Sequence, residues 1–137
     1  MANTYPLSSE RWLYLRMTSP HERGETLKTF LGKCEKEMQR YKERSWRWNL
    51  ACPLQPNAEN EMPDSVTTIS KFITHFDPER VRAVLFHPDW QGNTMEQEAL
   101  FSLMNKIQAL PRTEVILTDA RSREGNGLIY ADFFDFT

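Results

Sequence analysis

The chain has little of what most small enzymes rely on. Only two of its 137 residues are cysteine, Cys34 and Cys52, and their wide separation matches no zinc or redox motif, whose thiols sit roughly two to four residues apart. Its five glycines are scattered, which leaves no phosphate-cradling loop, and no serine lies in a Gly-x-Ser-x-Gly elbow. No apolar run approaches the roughly 18 residues that a membrane-spanning helix requires. The opening Met1-Ala2-Asn3-Thr4-Tyr5-Pro6 has neither a basic start nor an apolar core, so no secretory leader is expected. Two thiols without a disulfide framework predict a reducing intracellular compartment, the cytoplasm or an organelle interior.

Neither sign of charge dominates. The net charge is -2, short of the basicity of a dedicated nucleic-acid binder, so nucleic acid is not expected as a partner. The charge is uneven along the chain: residues 1–50 carry ten basic against six acidic side chains, and residues 51–137 carry seven against thirteen. Such a split can orient a molecule on a partner. Aromatic residues make up 12% of the chain, and these are the types enriched where proteins meet.

At this length a single domain, residues 1–137, is expected. Arg11 to Met17 alternates Trp12, Tyr14 and Arg16 with Leu13, Leu15 and Met17, the pattern of a short strand. Ser19-Pro20-His21-Glu22 spells a capping box with proline at the first helical position. Leu27, Phe30, Leu31, Cys34, Met38 and Tyr41 then recur at helical spacing, which predicts a helix over about 20–46 with this stripe buried. His21 in its first turn has no sequence partner and is expected at the surface. Residues 53–63 bear prolines, acids and no periodicity, and read as a surface loop. Asp64 can cap a helix over 65–75 whose face is Val66, Ile69, Phe72 and Ile73.

Residues 77–86 are ambiguous. Asp77-Pro78-Glu79 opens a helix well, but the apolar run before Pro88 reads equally as a strand. Thr94-Met95-Glu96-Gln97 is a second capping box, leading to a helix over 95–109 with Leu100, Phe101, Met104 and Ile107 inward and Pro111 as its stop. Glu114 to Asp119 and Leu128 to Phe136, joined through Gly125 and Gly127, predict a C-terminal β-hairpin. The expected fold class is α+β: three main helices and a hairpin in a small mixed sheet.

The triplet His87-Pro88-Asp89 after Phe86, with Phe101, Met104 and Asn105 following, resembles the loop of J-domains over at most residues 65–110. The resemblance implies a helical 79–87, two antiparallel helices around an exposed loop, and stimulation of a heat-shock chaperone's ATPase. The chain departs from that pattern at three places. Pro78 shortens the preceding helix, its basic stripe shrinks to Arg80 and Arg82, and Trp90 stands where Lys or Arg is usual. These departures tilt residues 79–87 toward a strand.

Two His/Asp pairs, His75-x-Asp77 and His87-x-Asp89, could hold a divalent metal or act as acid and base. Both aspartates adjoin prolines at element ends, where Asp favours capping and turns. No catalytic residue, metal site or cofactor is expected. Asp119, Asp132 and Asp135 could gather carboxylates at the hairpin. Two tryptophans flank Arg47, and with Trp90 and the Phe-rich tail they give a candidate partner-binding set of Trp46, Trp48, Trp90, Phe133, Phe134 and Phe136. The reading is a non-catalytic accessory subunit that binds another protein or a multi-subunit complex. Its alternatives are an inhibitor or immunity-type protein masking a basic target with the acidic C-terminal half, a degenerate J-like co-chaperone or scaffold, and a small His/Asp-dependent enzyme.

Overall fold

The computed structural model describes residues 2–43, 47–89, 91–121 and 123–134. They form an α+β fold of four helices and five strands, and they divide into two compact units, 1–75 and 76–137. Each unit contains the same motif: a strand, a crossover helix, a parallel strand and a second helix.

In the first unit β1 (Ala2–Pro6), β2 (Arg11–Arg16) and β3 (Arg47–Ala51) make a mixed sheet in the order β1-β2-β3. β1 runs antiparallel to β2, with Thr4 opposite Tyr14, and β3 runs parallel to it, with Trp48 opposite Trp12. The connection from β2 to β3 is α1 (Leu27–Tyr41). Period-two alternation puts Trp12, Tyr14 and Arg16 on one face of β2, and α1 covers that face. Tyr41 stacks on Trp12 at 4.9 Å between ring centroids, Phe30 lies under the Arg16 guanidinium, and Glu37 accepts a bond from the Thr4 hydroxyl. Phe30 and Cys34 of the expected stripe are buried, and Leu27, Leu31, Met38 and Tyr41 are half-buried.

The first helix starts later than its capping box predicts. The box itself forms: Glu22 N–H donates to the Ser19 hydroxyl at 3.1 Å and Ser19 N–H to the Glu22 carboxylate at 3.3 Å. It closes only a turn, because Gly24 sits at φ +64° and reverses the chain, a conformation glycine adopts without steric cost. Thr26 then caps α1 by accepting from Thr29 N–H. α2 (Ser65–Phe76) is capped as expected, with Asp64 accepting from Thr67 N–H at 2.7 Å.

In the second unit β4 (Val81–Phe86) and β5 (Thr113–Thr118) pair in parallel, Val81 opposite Thr113 and Phe86 opposite Thr118. The ambiguous segment is therefore a strand, and the helix pair required by a J-like loop is not formed. The crossover is α3 (Gln97–Gln108), which lies against β5 and buries Leu100 and Ile107. The Thr94 capping box is not used: Glu96 is the N-cap residue and its side chain makes no capping bond. The C-terminal hairpin is also corrected. Its first strand is β5, but α4 (Arg123–Phe133) stands in place of its turn and second strand. Asn126, Tyr130 and Phe133 recur at steps of four and three, a helical stripe that outweighs the turn propensity of Gly125 and Gly127.

Candidate functional site

In sheets of parallel strands, ligands are taken outside the carboxyl ends of the strands. Each unit carries a cluster of bonded polar groups there, and in both cases these groups hold the fold together.

At the end of β2, Arg16 is buried and meets Glu25 with both guanidinium arms, at 3.0 and 2.5 Å. Lys33, half exposed, adds a third bond to Glu25 at 3.0 Å. Burial works to raise the Glu25 pKa, but the bonds and charges of Arg16 and Lys33 outweigh it and hold the carboxyl below its ordinary range. His21, expected at the surface, is buried. The Pro63 carbonyl can only accept, so Nε2–H donates to it at 2.7 Å, and Nδ1 accepts from Gln55 N–H at 3.3 Å. The neutral imidazole thereby fastens both flanks of the 53–63 loop. Ser65 bonds to the Pro56 carbonyl, Thr68 to the Pro63 carbonyl, and Met62 is buried beneath the loop. Burial pushes the thiols of Cys34 and Cys52 up to about 12. Neither is ionised at neutral pH, so neither is a nucleophile.

At the end of β4, His87 donates Nε2–H to the Met95 carbonyl at 3.2 Å, and its N–H bonds the Thr118 carbonyl. Asp89 folds the loop onto itself, accepting from the N–H groups of Gln91 and Asn93 and from the Asn93 amide. Desolvation opposes, but these bonds from Asn93, Gln91 and Gly92 lower its pKa. At the end of β5, Asp119 binds Arg121 through both oxygens, and the bonds from the Arg121 side chain and N–H hold its pKa at about 2. Asn126, buried, donates to the Asp119 carbonyl at 2.7 Å. The Thr118 hydroxyl meets the Tyr130 hydroxyl at 2.9 Å.

The two His/Asp pairs do not assemble as sites. His75 meets Glu35 at 3.3 Å, Asp77 pairs with Arg112 at 2.7 Å, and His87 and Asp89 are spent on the loop just described. Among the described residues no three His, Cys, Asp or Glu side chains come close enough to hold a metal ion. Asp119 binds Arg121, Asp132 is exposed, and Asp135 lies outside the described residues.

Of the candidate partner-binding residues, Trp46, Trp90 and Phe136 lie outside the described residues. Trp48 is half-buried in β3 with its ring 6.2 Å from Tyr14. Phe133 and Phe134 are half-buried as well. Phe133 lies 5.6 Å beneath the Arg82 guanidinium, which also donates to its carbonyl, and Phe134 packs on Tyr130 and Phe133. Tyr130 in turn meets Phe86 edge-on. The stripe Asn126, Tyr130 and Phe133 thus seats α4 on the face of Arg82 and Phe86. Opposite that stripe stands Leu128, 78% exposed, and Ile129 on its flank is exposed as well. Sequence reasoning missed this pair because it assigned the segment to a strand. The signal was the spacing of Asn126, Tyr130 and Phe133, which leaves Leu128 facing out and Ile129 at the edge of the stripe.

No protein family, curated protein or solved structure matches this chain. Among the described residues no helix is long and apolar enough to cross a membrane.

Proposed function

We propose that the protein is a non-catalytic binding subunit whose second unit docks on another protein through α4. The observation that carries this reading is the outward pair Leu128 and Ile129 on a helix whose other side is already committed to its own strands. Clustered exposed apolar side chains are a mark of an interaction surface. Phe133 and Phe134 support the surface from beneath by fixing α4. Phe86, Phe101 and Leu117 of the same unit are exposed too, so the surplus of apolar surface is concentrated in this half. Unbridged thiols at Cys34 and Cys52 support a reducing compartment.

The inhibitor reading gains less support, since Asp77 and Asp119 are neutralised by Arg112 and Arg121 of the same unit. The J-like reading loses its helical loop to β4.

A photo-crosslinking residue at position 128 tests the proposal, with one at Lys28 on the exposed side of α1 as control. In extract from the native source, position 128 is expected to trap a discrete heteromeric species that position 28 does not. Equal labelling at both positions, or none at 128, overturns docking through α4.

A further inference from the structure

The same strand-helix-strand-helix motif occurs twice, but its outer edge is treated differently each time. In the first unit the outer edge of β2 carries an antiparallel strand, β1. In the second unit the corresponding strand, β4, pairs with β5 alone among the described residues.

The hydrogen bonds fix which groups that edge presents. Val81 N–H reaches the Arg112 carbonyl and His87 N–H the Thr118 carbonyl, so the odd-numbered residues of β4 spend their backbone groups on β5. In a parallel ladder the alternate residues point theirs the other way. The N–H and C=O groups of Arg82, Val84 and Phe86 therefore line the outer edge. Val81–Phe86 has no proline, no bulge and no lysine, devices by which proteins protect an edge, and its one charged side chain, Arg82, is engaged by Phe133 of the same chain. Residues 81–85 are half-buried on both faces, so a strand added here must be apolar on both faces too. β4 itself comes near that requirement, with Val81, Ala83 and Leu85 on one face and Val84 and Phe86 on the other beside Arg82, whose guanidinium is turned onto Phe133 of its own chain.

We propose that the outer edge of β4 pairs antiparallel with β4 of a second copy of this chain, making a four-stranded sheet β5-β4-β4-β5 about a two-fold axis at Ala83. A two-fold axis across a strand edge makes the pairing antiparallel, the orientation the chain already uses on β2. In this register Arg82 of one copy and Val84 of the other exchange N–H···O=C bonds. Ala83 meets Ala83 in the close, non-hydrogen-bonded position, where a small side chain fits. Glu79 stands opposite His87 and Arg80 opposite Phe86, so no like charges face each other across the seam. The axis keeps α4 of both copies on one face of the joined sheet, which leaves Leu128 and Ile129 outside the seam. The inference goes beyond docking through α4, and the two fail separately.

The test uses the full chain. Sedimentation over a wide concentration range is expected to show a monomer–dimer equilibrium, abolished by Val84→Pro with the circular dichroism spectrum retained. Ala83→Cys in a Cys52→Ser background is expected to give a disulfide-linked dimer as the main species under mild oxidation, and it decides the matter even where Val84→Pro does not fold. Leu128→Cys in the same background is expected to remain monomeric on reducing-agent-free gels. A chain that stays monomeric throughout overturns the proposal. So does a dimer that Ala83→Cys fails to trap or that Leu128→Cys traps instead.

Discussion

The two units start from one motif and complete it by different means. In residues 1–75 the parallel pair β2–β3 is closed by β1 and roofed by α1, and its carboxyl end is packed with buried polar groups that all find partners: Arg16 and Glu25 in each other, His21 in the Pro63 carbonyl and Gln55 N–H. Among the described residues of 76–137 the pair β4–β5 has no third strand and the buried apolar side chains are Leu100 and Ile107, against Leu13, Tyr14, Phe30, Cys34, Met62 and Ile73 in the first unit. Because both units have similar strands and crossovers, the motif does not account for the difference. The first unit finds its closure within its own sequence, whereas the second displays edge and apolar surface that favour closure by another chain.

The comparison can be broken most sharply at Glu25. Removing one partner of a buried pair leaves an uncompensated charge, so Glu25→Ala is expected to cost about 3–5 kcal/mol, read as a loss of cooperative unfolding in residues 1–75 by hydrogen exchange. Arg16→Met with Glu25→Leu should recover most of it. Acid gives the same answer without mutation. Glu25 has its pKa depressed in the folded state, so the stabilisation is present above the ordinary glutamate range and lost as pH falls through the lower folded value. Acidification should open the first unit through this range in the parent chain and less so in Glu25→Gln.

A smaller effect is expected at the loop clasp. His21→Phe keeps the ring's bulk but leaves Gln55 N–H without its acceptor, a loss of about 1–3 kcal/mol. Limited proteolysis within residues 56–61 should accelerate in this variant while cleavage in the second unit is unchanged. The smallest effect has the opposite sign. Gly127 lies in α4 with open space where a Cβ would stand, so Gly127→Ala should stabilise the second unit by about 0.5–1 kcal/mol. A thermal midpoint for that unit which falls instead would mean that α4 is not helical in solution.

Much of the first unit is legible in the sequence because its signals are local. The stripe from Leu27 to Tyr41 and the alternation in Arg11–Arg16 each follow from one period, and Asp64 announces α2. The interaction between Arg16 and Glu25 could not be read this way, since it depends on the reversal at Gly24 that folds a strand end back onto the start of a helix. His21 was misplaced for the same reason: its partners, Gln55 and Pro63, lie 34 and 42 residues away. In the second unit local signals compete. Two glycines argue for a turn where tertiary packing of Tyr130 and Phe133 imposes a helix, and the Thr94 box is outcompeted by a start at Gln97. The candidate surface was legible only in kind, as aromatic and apolar excess, because which residues face out depends on the helix that the glycines obscure.

The clasp at His21 also bears on where this chain can be cut. Residues 56–61 are exposed and turn tightly, with Glu59 and Met62 bonded to each other and Asn60 at φ +54°, while Gln55 and Pro63 on either side are tied to one imidazole. A break at Asn60 leaves both new ends anchored to the same ring, so the two pieces stay together without the peptide bond that joined them. That makes the loop tip the natural point for inserting a reporter domain.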